Sequence, residues 1–169
     1  MYPDFSDEIL GISARIVSLY TDRGLFLCGA ESCTGGACAS AIVATPGASR
    51  IFRGSAVCYC DGAKEKILGV KASTIEKFFA ESSRCAEEMA FGALGLYEAD
   101  IAFATTGFLD ANVGGKPESL RGIVFAAIAM RGRREALVNR ISLDPSNERN
   151  FNRFYCVLEV MKMIEKAAL

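Results

Sequence analysis

Apolar positions near the start of the chain follow a 3.6-residue period. Ile9, Ile12, Ile16, Leu19 and Tyr20 share one face of a predicted helix that opens at Ser6 and Asp7 and stops at Gly24. The run Leu25 to Gly29 is short and apolar, as a buried strand requires. Small residues from Thr34 to Ala44 suit a helix packed closely on a sheet, and Pro46-Gly47 ends it. Phe52 to Tyr59 reads as the next strand, and Asp61 as the N-cap of a helix that runs to Leu68 and stops at Gly69. Helices follow from about Ser73 to Phe79 and from Ser83 to Tyr97, the second with Cys85, Met89 and Ala93 on one face.

Two continuous apolar runs, Ile101 to Thr105 and Ile123 to Met130, predict buried strands joined by a polar, glycine-containing loop. The turn Arg131-Gly132-Arg133-Arg134 leads into an alternating strand, Ala136 to Leu143, and an amphipathic helix carrying Phe154, Leu158, Met161 and Ile164 closes the chain. Interleaved helices and buried strands predict an α/β fold, a three-layer α/β/α sandwich with a mixed, mostly parallel sheet. The hairpin at Arg131-Gly132 accounts for at least one antiparallel pair. No repeat, low-complexity tract or long linker interrupts the pattern, so residues 1–169 read as a single domain.

Composition narrows the function. Nineteen Lys and Arg against twenty Asp and Glu give a net charge of -1, without the basic footprint that a nucleic-acid partner demands. The start, Met1 to Glu8, is acidic rather than signal-like, and no apolar run approaches membrane-spanning length. Seven cysteines (28, 33, 38, 58, 60, 85 and 156) include no CxxC pair and sit in apolar segments, which predicts reduced thiols. A cytoplasmic protein with no membrane partner is the expectation, and a hydrophobic fraction of 51% extends it to a homodimer. There is no histidine at all. Ser-His-Asp and Cys-His catalysis are thereby excluded, with every metal site that depends on imidazole.

Candidate chemistry gathers in Glu31-Ser32-Cys33-Thr34-Gly35-Gly36, at the turn from the first strand into the second helix. Ser32 and Thr34 offer hydroxyls, the glycines let a ligand approach the backbone, and helix-start amides from Thr34 to Gly36 could hold an anion or a developing oxyanion. The same run serves equally with Thr34 as a helix cap and the glycines as packing residues. A serine nucleophile needs a base, and without histidine the candidate is a lysine acting as a neutral amine. Lys64 stands in the first turn of its helix, where the dipole opposes a positive charge. On its local sequence, Asp61-Gly62-Ala63-Lys64-Glu65-Lys66, it reads as a solvated surface charge. Gly114-Gly115-Lys116 lacks the spacing of a phosphate loop, and the arginines at 131, 133 and 134 read as a solvated cluster.

Taken together, Ala30 to Gly36, Pro46-Gly47-Ala48-Ser49, Phe52-Arg53-Gly54, Tyr59 with Lys64 five residues on, and Leu68-Gly69-Val70 resemble the CinA C-terminal domain family. Glu88-Met89-Ala90, Gly92-Ala93, Ala99-Asp100, Thr106-Gly107, and Arg149 with Arg153 extend the resemblance over nearly the whole chain. The separate N-terminal domain of longer family members, linked to metal-dependent nucleotide pyrophosphatase activity, falls outside it. The resemblance implies a nicotinamide-nucleotide amidase, converting nicotinamide mononucleotide and water to nicotinate mononucleotide and ammonia without cofactor or metal. It implies Ser32 as nucleophile and Lys64 as general base, with Tyr59 and Thr106 assisting. It also implies substrate contacts from Glu31, Cys33, Thr34, Gly35, Gly36, Gly107 and Arg149, the arginine suiting a phosphate.

Three departures stand against that pattern. Tyr59 is followed by Cys60-Asp61 where the family usually reads Ser-Asn, and an ionised Asp61 beside Lys64 would favour the ammonium. Thr106-Gly107 continues as Phe108-Leu109-Asp110, without the usual second glycine and proline, and Ser119-Leu120-Arg121-Gly122 stands for Lys-Pro-x-Gly. The alternative is therefore a diverged nucleotide-binding or regulatory module without turnover.

Overall fold

The computed structural model describes residues 5–169; the acidic start Met1 to Asp4 lies outside them. Helix α1 (Ser6–Arg23) buries Ile9, Ile12, Ser13, Ile16, Val17 and Tyr20, the face its period predicts. Gly24 ends it in the left-handed conformation, and the amide of Leu25 returns to the carbonyl of Tyr20. There follow β1 (Leu27–Glu31), α2 (Ala37–Val43), β2 (Phe52–Val57), α3 (Asp61–Leu68), α4 (Ala72–Phe78) and α5 (Ser83–Leu96). Strands β3 (Ile101–Gly107), β4 (Ile123–Met130) and β5 (Leu137–Ser142) and the helix α6 (Arg149–Ala167) complete the chain.

The five strands form one sheet in the order β2-β1-β3-β4-β5. β1 is parallel to both β2 and β3, while β4 is antiparallel to both β3 and β5. Four strands thus run one way and β4 alone runs back, the mixed, mostly parallel sheet that the pattern predicts. Helices cover both faces. Ile101, Phe103, Val124, Ala126 and Ile128 point to α1, α2 and α6, and the intervening Ala102, Ala104, Ala127 and Ala129 point to α5. The strand period sets large residues on one face and alanines on the other, so α5, itself lined by Cys85, Ala86, Met89, Ala90 and Ala93, lies close to the sheet.

Two boundaries differ from the sequence reading in ways that matter. β1 begins two residues later and runs on to Glu31, because the carboxylate at its end is fully satisfied inside the protein. α2 begins at Ala37, not Thr34, because Gly35 and Gly36 adopt left-handed conformations that turn the chain first. Asp61 is the first residue of α3 and Cys60 its N-cap. Phe154 is exposed on α6, whose buried face is formed by Cys156, Val157, Leu158, Val160, Met161 and Ile164. No helix among the described residues is long and apolar enough to cross a membrane.

Candidate active site

From β1 the chain passes through α2 to β2 on one side, and later returns through α5 to β3 on the other. The crevice beyond the ends of β1 and β3 is therefore a topological switch point, where open α/β sheets place ligands. Ser32 stands there, one residue past β1. Its amide donates to the carbonyl of Thr105 at 2.9 Å, and the amide of Cys58 donates to the carbonyl of Glu31 at 2.8 Å, so the chain stays tied to both neighbours at the point of exit.

Glu31 organises the turn. Its buried carboxylate accepts from the amides of Gly36 and Cys38 (3.0 Å each) and Ala39 (2.9 Å), and from the hydroxyls of Thr34 (2.7 Å) and Ser55 (3.3 Å). A carboxylate at a helix N-terminus satisfies amides that have no partner in the helix and complements the dipole. Glu31 thus caps α2 from the preceding strand. Thr34 does not cap α2 directly; its hydroxyl is shared between Glu31 and Thr105, 2.7 Å from each. The amides of Gly35 and Ala37 donate to the carbonyls of Ser32 and Thr34. Of the turn, the amides of Cys33 and Thr34 remain untied to another residue among the described residues.

Lys64 is buried, only 2% exposed, and its Nζ donates to Ser32 Oγ at 3.2 Å. The surface position suggested by its local sequence is overturned. Lys64 shares a helix face with Leu68, and this face of α3 packs on α5 at Gly92, where a Cβ would stand 2.0 Å from the carbonyl oxygen of Leu68. Only glycine admits the backbone of α3 so closely. Asp61 is exposed and forms no ion pair with Lys64 among the described residues. The groups near Lys64 include the thiols of Cys58 and Cys85, which burial pushes up, Cys85 to about 12, and which therefore carry no charge at neutral pH. A buried lysine nitrogen aimed at a serine hydroxyl, with no carboxylate paired to it, has the geometry of a general base and its nucleophile.

Ser32 opens into a cavity of about 310 Å³ that Cys33, Tyr59, Gly107, Asp110 and Arg149 also line. Larger hollows, of about 420 Å³ at the β4–β5 turn and about 850 Å³ beside Phe26 and Arg131, hold no serine–lysine pair. Burial pushes the Cys33 thiol up to about 12, so it does not compete with Ser32 as a nucleophile. Gly107 has a φ of +149°, and a Cβ on it would meet the carbonyl oxygen of Ile123 at 2.3 Å. Tyr59 is largely exposed, and its hydroxyl accepts from Arg149 Nη2 at 3.1 Å rather than reaching Lys64.

Arg149 opens α6 and pairs through Nη1 with Asp110. Partial burial works to raise the Asp110 carboxyl, but the Asn112 amide and the Arg149 guanidinium outweigh it and hold the group below the usual carboxylate range. The Thr106 hydroxyl donates to the carbonyl of Ala80 at 2.8 Å and ties β3 to the segment before α5. Gly35 and Gly36 line a separate groove with α1 and α6. Thr105 and Asp110 escaped the sequence reading. Nothing marks Thr105 in sequence, whereas Asp110 falls in the segment that departs from the CinA pattern.

Comparison with known proteins matches residues 10–168 to the CinA C-terminal domain model. A putative competence-damage inducible protein of Caldanaerobacter subterraneus is 42% identical over 114 residues, 68% of this chain and 27% of that protein. A CinA-like protein of Dictyoglomus thermophilum is 34% identical over 154 residues, 91% of this chain and 36% of its own length. The chain thus spans about a third or less of these relatives. Among solved structures, a competence/damage inducible protein from Agrobacterium tumefaciens superposes with a TM-score of 0.87 at 31% identity, covering 99% of this chain and 98% of its own. A CinA superfamily protein from Klebsiella pneumoniae superposes with a TM-score of 0.85 at 28% identity, covering 95% and 97%.

Proposed function

This chain belongs to the CinA C-terminal domain family, and from that premise we propose that it is an amidohydrolase that deamidates nicotinamide mononucleotide. One observation carries the reading: the Nζ of buried Lys64 on the Oγ of Ser32, which lines a cavity together with Arg149. In the proposed reaction Lys64 Nζ takes the Ser32 proton while Oγ attacks the carboxamide carbon. The tetrahedral oxyanion is met by the amides of Cys33 and Thr34. Lys64 returns the proton to the departing nitrogen, ammonia leaves, and water cleaves the resulting ester to release the carboxylate and restore Ser32. Arg149, with its planar fork, receives the phosphate.

The test is ammonia release from nicotinamide mononucleotide by the purified chain. Release that disappears in Ser32→Ala supports the reading, and nucleotide binding without release overturns it. The second outcome would identify a nucleotide-binding module without turnover, a reading favoured by the carboxylate of Asp110 on Arg149.

A further inference from the structure

Both terminal nitrogens of Arg149 are engaged at the cavity, Nη1 by Asp110 and Nη2 by the Tyr59 hydroxyl. Asp110 is aimed there by its own turn: Oδ1 accepts the amide of Asn112 at 2.9 Å, leaving Oδ2 for the guanidinium, and the Asp110 carbonyl accepts the amide of Gly122 at 3.2 Å. The nearby cation Lys116 is paired in the same manner, with Glu81 of the cavity wall. Each of these two cations therefore has a carboxylate of its own, and Arg149 is not an open anion receptor.

We propose that Asp110 is a specificity-determining residue that competes with the substrate's phosphate for Arg149, so that the two anions exchange on one guanidinium. Asp110 holds Arg149 through Nη1 alone, whereas a phosphate could take both terminal nitrogens of the planar fork, so a phosphate can replace the carboxylate. The pair is half-exposed, with Arg149 51% and Asp110 26% accessible, and ion pairs of that exposure are held weakly enough to open. A dianionic phosphate outbids the single charge of Asp110, whereas a lone carboxylate gains nothing by the exchange. The site consequently admits phosphomonoesters while turning away small monoanions.

The inference rests on the amidase reading only for which phosphomonoester is bound, and its test is independent of turnover. Calorimetric titration of the full chain with inorganic phosphate at neutral pH compares wild type, Asp110→Asn, Arg149→Ala and the double variant. Asp110→Asn is expected to bind phosphate at least about tenfold more tightly than wild type, a gain that the double variant loses. Glu118→Gln, the same charge change at an exposed pair with Arg121, is expected to show no gain. Equal affinity in Asp110→Asn and wild type, no measurable binding to either, an equal gain in Glu118→Gln, or a gain that survives in the double variant overturns the role of Asp110. Ammonia release without a phosphate gain overturns this inference alone. A phosphate gain without ammonia release overturns the amidase reading alone.

Discussion

Lys64 Nζ lies 3.2 Å from Ser32 Oγ, joining residues thirty-two positions apart on elements that never pair in the sheet. Ser32 is placed by β1, whose exit is tied to β2 and β3. Lys64 is placed by α3, which Gly92 of α5 allows to settle against the layer behind the sheet. Two independent layers must therefore hold their positions for the pair to form.

Ser32→Ala and Lys64→Met each lower ammonia release from nicotinamide mononucleotide by at least about a thousandfold, the scale seen when one member of a catalytic unit is removed. Methionine preserves the buried length of Lys64, so thermal unfolding separates lost chemistry from a lost fold. Activity unchanged in either variant would rule out the pair. A chelator leaves the wild-type rate unaltered.

Glu31→Ala removes a carboxylate that satisfies three amides and two hydroxyls in the interior. Loss of about 3 kcal/mol or more follows from stranding several buried donors at once. For a chain of this size that lowers the melting temperature by roughly 6–12 °C. Glu31→Gln is also destabilising, because its NH₂ group faces donors on both sides. A shift within 2 °C, measured by calorimetry at about the precision this scaling allows, would refute the capping role.

Gly92→Ala forces a methyl group to within 2.0 Å of the Leu68 carbonyl oxygen. Overpacking of this kind costs about 1–3 kcal/mol, and the strain is relieved only if α3 moves. Because α3 carries Lys64, activity falls by about a hundredfold, as misplacement of a catalytic group by an ångström would produce. Retained activity together with reduced stability would show that α3 is not what positions the base.

Of the seven cysteines, only Cys60 is exposed. Burial pushes Cys28, Cys33 and Cys85 up to about 12, leaving roughly one part in ten thousand as thiolate at about pH 8. A chromogenic disulfide reagent at that pH therefore titrates one thiol per native chain rapidly and all seven after unfolding. Rapid labelling of Cys33, identified by peptide mass, would contradict the enclosure of the Ser32 turn.

Much of the fold is legible in sequence. The 3.6-residue spacing from Ile9 to Tyr20, the all-apolar runs of β3 and β4, and Gly24 and Gly69 at helix ends report local preferences that burial reinforces, so the elements emerge with boundaries displaced by only a few residues. The site is less legible where polar groups are buried. Glu31 and Lys64 are charged residues, and a charge predicts exposure unless its partners are known. Those partners, Ser55 and the amides of α2 for one and Ser32 for the other, come from other parts of the chain.

By itself, the sequence determined the layered α/β architecture, the absence of histidine chemistry, and the strand-to-helix turn that holds Ser32. These follow from side-chain period, composition and glycine placement, all local properties. Tertiary structure alone decided that Lys64 turns inward to Ser32, that Glu31 caps the following helix, and that Asp110 faces Arg149. Each of these depends on how a polar side chain is desolvated and satisfied by residues distant in sequence, which no local pattern encodes.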